Sequence, residues 1–405
     1  MSTRLLNNNR LFYAIEAIGF APFSGVGTTQ ATLQSGFLMA SGVQSVGIDT
    51  SFNIEQVFQL GQLDIYANME NIPNVEVTVE KVLDGTSLLQ HLATPLTGQG
   101  SELLSRYSNQ RCDVAFNVYR DYLSSASGGG ALATGDANIH QCYMSGMYVS
   151  SINFNLPTDG NMTESITLVG NSKNWKAGAA VGTGIMDFRP KQSQSSAPPL
   201  SGLVMRRQNL VFGTGTTESD TNVSYLPKEI PGIDATGFNR TYALSTLATG
   251  VYAGFGAHVQ SIQISADLGR TELFELGRRG PYHRYLDFPI EVTCAIEIID
   301  TQGDSIIARE EAQSNLTDQR IYLVLEDGTN IDLGSKNRLT SVNNSGGDTG
   351  GGIRTATYNY SNFNALTVTR RAGSGVLGLG PAAPGKADPA NASDEDPFEF
   401  GDVGS

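Results

Sequence analysis

The sequence has few charged residues and few cysteines. Charged side chains make up 16% of its 405 residues and the formal net charge is −14, whereas typical soluble chains carry roughly a quarter of charged residues. This acidic balance argues against a surface that holds nucleic acid or an anionic membrane. The cysteines Cys112, Cys142 and Cys294 form no C-x-x-C pair, which favours reduced thiols over a disulfide framework.

Long apolar runs are missing as well. No uninterrupted apolar stretch reaches the length of about 18 residues that a membrane-spanning helix requires. The amino terminus lacks an apolar core followed by a small-residue cleavage site, which is the pattern of a secretory signal peptide. We therefore expect a chain made in a cytosol, with neither a signal peptide nor a membrane span.

Motifs of catalysis and metal binding are also absent. His91, His140, His258 and His283 lie far apart, without the H-E-x-x-H spacing of a zinc site. The sequence has no nucleophile elbow, no P-loop and no dinucleotide fingerprint after a strand. We therefore expect no enzymatic activity, no metal and no cofactor.

Glycine and the small polar residues are abundant, with 46 glycines in the chain. This composition favours turns and short strands over long helices. The clearest strand signal is the alternation of Val75, Val77 and Val79 with three polar residues, Glu76, Thr78 and Glu80. The region from Ile290 to Ile299 alternates in the same way. The sequence therefore predicts an all-β fold with minor helices, one of which starts near Ser87.

One block of the sequence occurs twice. The run VQSVGI, which begins at Val43, returns as VQSIQI at Val259. Further along, Phe58, Leu60, Gly61, Tyr66 and Pro73 recur at the same constant offset of 216. The motif F-x-L-G is part of both copies. After the proline, the run Glu76-Val-Thr aligns with Glu291-Val-Thr if one residue is lost. Such self-similarity indicates a duplicated structural unit.

The duplication divides the chain into four segments. We expect a first domain in residues 1–170, a linker in 171–201, a second domain in 202–371 and an acidic tail in 372–405. The tail is rich in glycine, alanine and proline before it becomes acidic, so it cannot bury enough apolar surface to offset the entropy of ordering. The stretch Asn53–Gly61 reads as a packed loop, and Val204–Phe212 as a strand that opens the second domain.

The repeated block resembles the tail tube proteins of tailed bacteriophages. The resemblance rests on the VQSVxI strand, the phenylalanine and Leu-Gly that follow it, Tyr66, Pro73 and the Val-Glu-Val-Thr strand. The later stretch Asn337–Val368 resembles the closing strands of the same family. The resemblance implies two tandem β-sandwich domains whose inner sheets join those of neighbours into a closed barrel ring.

The resemblance also implies a function and a set of partners. Rings of six domains would stack into a tube that conducts DNA and surrounds the tape-measure protein, with other tail proteins at its ends. Because this chain carries two domains, three chains would complete a ring with pseudo-sixfold symmetry. The chain would then be a virion component, made in the cytoplasm of the host bacterium. The candidate lumen residues are Glu76, Thr78, Glu80, Glu291 and Thr293, and the candidate interface residues are Phe58, Leu60, Gly61, Phe274, Leu276 and Gly277.

The composition leaves three other functions open. A capsid decoration or a fibre could also consist of tandem sandwich domains. A carbohydrate-binding adhesin is a further alternative, although Trp175 is the only tryptophan that could stack on a sugar ring. Only the repeated block favours a tube over these alternatives.

Overall fold

The computed structural model describes residues 16–22, 38–84, 88–93, 110–118, 140–177, 204–210, 224–227, 230, 258–278, 280–299, 318–346 and 353–370. These residues are mostly in strands, so the predicted all-β class with minor helices is confirmed. The predicted acidic tail and the part of the predicted linker beyond Ala177 lie outside the described ranges.

The first unit contains the first ten strands of the described chain. Their bounds are β1 Glu16–Pro22, β2 Leu38–Met39, β3 Val43–Ser51, β4 Ile54–Phe58, β5 Ile65–Glu70, β6 Asn74–Val82, β7 Cys112–Val118, β8 His140–Pro157, β9 Thr163–Gly170 and β10 Asn174–Ala177. A short helix, α1 (Leu89–Ala93), lies between β6 and β7.

The second unit contains the remaining nine strands of the described chain. Their bounds are β11 His258–Asp267, β12 Arg270–Leu273, β13 His283–Leu286, β14 Glu291–Ile299, β15 Tyr322–Val324, β16 Thr329–Asp332, β17 Arg338–Ser345, β18 Thr355–Phe363 and β19 Thr367–Arg370. Strands β15 and β16 form a hairpin whose turn contains Asp327 and Gly328.

One antiparallel sheet, which we call the main sheet, runs through both units. Its strands follow the order β3–β6–β9–β8–β11–β14–β18–β17. In the inner strands β6, β9, β14 and β18 about one side chain in two is buried, because successive side chains of a strand point to opposite faces. The outer strands β3 and β17 have only half-buried and exposed side chains. The alternating valines of β6 and isoleucines of β14 lie on the buried face.

A second layer covers the buried face of the main sheet. In the first unit it consists of β1, β2, β7, β10 and the first half of β8, a strand of 18 residues that passes from one layer to the other. In the second unit it is the small sheet β15–β16–β19. Buried side chains of both units belong to one continuous hydrophobic cluster, which includes Val77, Ile166, Ile264 and Tyr358.

Charged residues are buried beside α1 in the first unit. Lys81 and Asp84 form an ion pair with almost no exposed side-chain surface. The Glu164 carboxylate accepts hydrogen bonds from the backbone amides of Leu89 (2.9 Å) and Gln90 (3.1 Å), the groups left unpaired at a helix start. Burial raises the pKa of Glu164 to about 7, although both amides and Lys81 lower it.

Two local predictions were wrong. Asn53–Gly61 is not a packed loop, because β4 occupies most of it and its side chains are exposed. Val204–Phe212 is not a strand in its described part, where Arg207–Asn209 form a 3-10 turn and Leu210 makes an isolated bridge to Leu325. The short helix predicted near Ser87 is confirmed and begins at Leu89. Its cap is Glu164, a residue too far along the chain for a local pattern to show.

Candidate assembly interface

The two units join through a seam between β8 and β11. These strands pair over seven consecutive positions, from Ser261 opposite Pro157 to Asp267 opposite Ser151. On the exposed face, the Ser265 hydroxyl donates a hydrogen bond of 2.7 Å to the Asn153 side-chain oxygen. Strand β8, at one edge of the first unit's part of the main sheet, thus pairs with β11, the first strand of the second unit, in a head-to-tail contact.

The two outer strands of the main sheet are the counterparts of the seam strands. Within each unit the strand order is the same, so β3 corresponds to β11 and β17 corresponds to β8. The corresponding strands also have their bulges at corresponding positions. The bulge of β3 is at Gln44 and that of β11 is at Gln260. The bulge of β8 follows Val149 and that of β17 follows Leu339. Unpaired sheet edges attract other strands, so β3 and β17 are the natural place for a further contact.

The strand pairing corrects the alignment of the two copies. Val46 pairs with Val79 and Ile262 pairs with Ile296, so the offset is 216 in the first strand but 217 in the next. One residue is therefore gained after the proline, and the predicted match of Glu76 with Glu291 is wrong by two positions. Thr293 is the structural counterpart of Glu76. The error arose because a two-residue slip preserves the alternation of faces.

The five candidate lumen residues lie on the uncovered face of the main sheet. Glu76, Thr78, Glu291 and Thr293 are exposed and Glu80 is half-buried. Ser45 donates a hydrogen bond to Glu80, and its counterpart Ser261 donates one to Glu297.

Sequence reasoning missed half of the acidic residues on this face. Six carboxylates point from it, namely Asp49, Glu76, Glu80, Asp267, Glu291 and Glu297. Asp49 and Glu76 are direct cross-strand neighbours, an arrangement that costs stability because like charges oppose each other. Asp49 and Asp267 follow the same alternation as the neighbouring serines, a signal that could have placed them on this face.

The six candidate interface residues lie in two exposed hairpins. Hairpin 1 (β4–β5) contains Phe58, and hairpin 2 (β12–β13) leads directly into Phe274; both rings are 63% exposed. Leu60 and Leu276 lie fully exposed at the two tips. Gly61 and Gly277 have φ values of 87° and 88°, a conformation that favours glycine. The tips are thus alike in both units.

The two hairpins differ in what they touch. Hairpin 2 lies on the first unit: the Arg284 Nη2 atom donates hydrogen bonds to Asn74 (3.0 Å) and Asn171 (3.1 Å). The Arg270 Nε atom donates to the Val149 carbonyl oxygen at 2.8 Å. Its guanidinium lies 5.1 Å from the centre of the Tyr148 ring. Hairpin 2 therefore holds the two units together beside the seam, and we call this contact the clamp.

Partial burial shapes the electrostatics of this contact. It lowers the pKa of Arg270 to about 10 and also lowers that of Arg284, whose ion pair with Glu272 opposes the shift. The pKa of His283 is lowered by burial and by the nearby Arg111 and Arg270. Arg270 therefore remains charged near neutral pH.

The sequence held one unused signal for this contact. At the positions of Arg270 and Arg284, hairpin 1 has Ile54 and Asn68. The counterparts are thus basic in one hairpin and neutral in the other, which indicates that the two hairpins meet different surroundings. The repeat itself is defined by its identical residues, so these differences were no part of the sequence prediction.

The cysteines of the chain are buried and make no disulfide. Burial raises the pKa of Cys142 to about 11 and that of Cys294 to about 12, and it raises the pKa of Cys112 further. The described part of the chain contains no group of three or more acidic, histidine or cysteine side chains able to hold a metal. Within the same ranges, none of the helices has the length and apolarity of a membrane span.

Comparisons with known proteins give only distant likenesses. No family model and no curated protein matches the chain. A chain of the anti-feeding prophage baseplate is 10% identical, with 42% of this chain and 97% of that chain covered and a TM-score of 0.28. A chain of the empty GTA particle tail is 13% identical (29% and 85% covered, TM-score 0.23). The anti-feeding prophage tube-terminating cap is 9% identical (44% and 99% covered, TM-score 0.26). Likenesses with TM-scores this low assign neither family nor function to the chain.

Proposed function

We propose that the chain is the structural subunit of a phage tail tube, in which three chains form each ring and the rings stack around a lumen. The observation that carries the proposal is the β8–β11 seam, together with β3 and β17, which correspond to its two strands and have no second partner strand within the described ranges. A contact that joins two units within a chain can be repeated between chains. A head-to-tail contact of this kind gives a closed ring when its rotation closes.

The two faces of the main sheet differ, and this difference favours one of them as the lining of the lumen. One face is buried under the second layer in both units, so that layer must lie on the outside of a closed ring. The other face is open and bears the six carboxylates. Carboxylates repel the phosphates of DNA and so prevent tight contacts with a passing duplex. This face suits a conduit that DNA crosses without specific binding.

The sequence resemblance supports the same assignment. The residues that carry it, from the VQS strand to the F-x-L-G hairpin tip, lie in β3 and hairpin 1 of the first unit and in β11 and hairpin 2 of the second unit. In the proposed tube, the exposed Leu60 and Leu276 at the hairpin tips contact the adjacent ring. The partners of the chain are then further copies of itself, the tape-measure protein, DNA and the proteins at the tube ends.

The assembly state tests the proposal. The purified full chain is concentrated, its assemblies are weighed by native mass spectrometry, and the particles are imaged by negative-stain electron microscopy. We expect hollow rings of three chains that stack into tubes. Rings of six chains, solid rods, or a monomer at every concentration would overturn the proposal. Rods or monomers would favour the fibre or decoration alternatives.

A further inference from the structure

The uncovered side of the second unit has an exposed aromatic patch. Phe288 is 53% exposed and Phe363 is 56% exposed. Their counterparts in the first unit are Ile72 and Asn171, which the strand pairing places at the same positions. Both are half-buried there, because hairpin 2 lies over them: Asn171 accepts a hydrogen bond from Arg284, and Gly280 packs on the Ile72 side chain. The patch is therefore the uncovered copy of a surface that a hairpin covers elsewhere in the same chain.

Hairpin 1 is the counterpart of hairpin 2, and it is exposed. Its strands are exposed along almost their whole length, whereas the corresponding strands of hairpin 2 are half-buried or buried apart from Tyr285. Ile54 and Phe58 are 57% and 63% exposed. One exposed hairpin and one exposed aromatic patch thus remain at opposite ends of the main sheet, beside β3 and β17 respectively.

We propose that hairpin 1 clamps the second unit of a neighbouring copy, over its Phe288–Phe363 patch, just as hairpin 2 clamps the first unit within the chain. This inference rests on the proposed ring. It specifies that hairpin 1 of one chain contacts the Phe288–Phe363 patch of the next. It follows if the pairing of β8 with β11 is repeated between β17 of one chain and β3 of its neighbour.

The register of the seam between chains follows from that of the internal seam. Ser265 opposite Asn153 becomes Asp49 opposite Asn343 of the neighbour. The Asn343 amide can donate a hydrogen bond to the Asp49 carboxylate, which replaces the serine-to-asparagine bond of the internal seam. On the covered face, Ala266 opposite Ile152 becomes Thr50 opposite Val342.

The basic group of the clamp lies on the hairpin within the chain and on the strand between chains. Within the chain, the basic Arg270 of the hairpin lies over Tyr148. Between chains, the counterpart of Tyr148 is Arg338, and the hairpin presents Glu70, the cross-strand partner of Ile54. Arg338 is 63% exposed and meets Asp318 at 3.0 Å, an exposed pair of the kind that contributes little. The clamp between chains therefore has an acid on the hairpin and a base on the strand.

This difference in charge between the two clamps gives each hairpin a preferred surface. Hairpin 2 on a neighbour would place Arg270 against Arg338, two like charges. Hairpin 1 has no arginine to place over Tyr148. Like-charge contacts exclude wrong partners more strongly than matched charges add affinity. The two clamps thus keep the internal and external seams distinct.

The test is a charge exchange in the full chain. Glu70→Arg and Arg338→Glu should each raise the concentration for half-assembly by about tenfold, because each places like charges together at every seam between chains. The double variant should restore assembly to within about twofold of the original chain. Glu55→Arg, on the opposite face of hairpin 1, and Asp318→Asn are matched controls that should leave assembly unchanged.

A cross-link tests the register independently. Oxidation of Asp49→Cys with Asn343→Cys should join chains into dimers and covalently closed trimers on a denaturing gel. Asp49→Cys with Ser345→Cys, two positions out of register, should not, because diagonal Cβ atoms lie beyond disulfide reach. The native thiols are buried and should not react.

The outcomes separate the two proposals. Rings of three chains without rescue by the double variant, or with the shifted pair cross-linking instead, would overturn the clamp and leave the tube proposal standing. Failure of the original chain to form a ring of three would overturn both.

Discussion

Glu164 is a carboxyl whose surroundings raise its pKa well above the ordinary value. Its carboxyl caps α1 in a buried site next to Lys81, and its pKa rises from 4.5 to about 7. A raised pKa means that the folded chain binds the proton more tightly than the unfolded chain does. The stabilisation from this proton is therefore complete below about pH 4.5 and is lost as the pH rises through 7.

Replacement of Glu164 should remove that pH dependence. Between pH 4.5 and 7.5, the free energy of unfolding of the original chain should fall relative to that of Glu164→Gln, by at most about 3 kcal/mol. Urea unfolding at several pH values measures the difference. Glu291→Gln, at an exposed site, is the control and should run parallel to the original chain. A constant gap for Glu164→Gln would contradict the raised pKa.

The opposed pair of Asp49 and Glu76 should cost the isolated chain stability. In the second unit the same two places are held by Ser265 and Thr293, which carry no charge. Glu76→Thr, which copies that arrangement, should stabilise the chain by roughly 0.2–1 kcal/mol at low salt. The gain should shrink in high salt because salt screens the repulsion. Chemical unfolding at two salt concentrations measures both effects, and a loss of stability would show that the carboxylates do not repel.

At the level of elements, the hairpin tips depend on glycine. The turns at Gly61 and Gly277 have the same positive φ, and a methyl group added at either would meet no atom within 4 Å. An alanine therefore costs only backbone strain, about 1 kcal/mol. Amides of the altered hairpin should exchange hydrogen about fivefold faster, because local opening becomes easier by that amount.

The control for this prediction is Gly47→Ala in β3. Gly47 has an ordinary φ and an added methyl group would touch Thr78 at 3.9 Å, so exchange should not change. Equal exchange rates in Gly61→Ala and the original chain would show that the tip tolerates a side chain.

The elements also show how far the sequence could lead. The alternation in β6 and β14 was enough to place their valines, isoleucines and carboxylates on the correct faces. Asn53–Gly61 failed because its apolar residues look like a buried set, and nothing local shows that they are exposed in the single chain. The cap on α1 and the clamp of Arg284 on Asn74 depend on residues far apart in sequence. Such contacts leave no periodic signal.

On the scale of the whole molecule, the acidic face leads to a prediction about transport. Glu76→Lys with Glu291→Lys should leave the fold intact, since both side chains are exposed. In assembled particles the change should slow DNA ejection, because lysines along the lumen attract phosphates. Ejection is followed by dye fluorescence after triggering. The same substitutions at Glu55 and Glu275, on the two hairpins, are the control, and unchanged ejection in the first variant would contradict a lumen on this face.

The seam inside the chain has a further consequence for the kinetics of assembly. Half of the seams in a ring of three chains form during folding, at a rate that does not depend on concentration, because the covalent connection keeps the two units together. Only the seams between chains require a bimolecular encounter. Dilution should therefore open a ring only between chains and release intact two-unit subunits, never separate units. The duplication thus halves the number of collisions that decide whether a ring is completed.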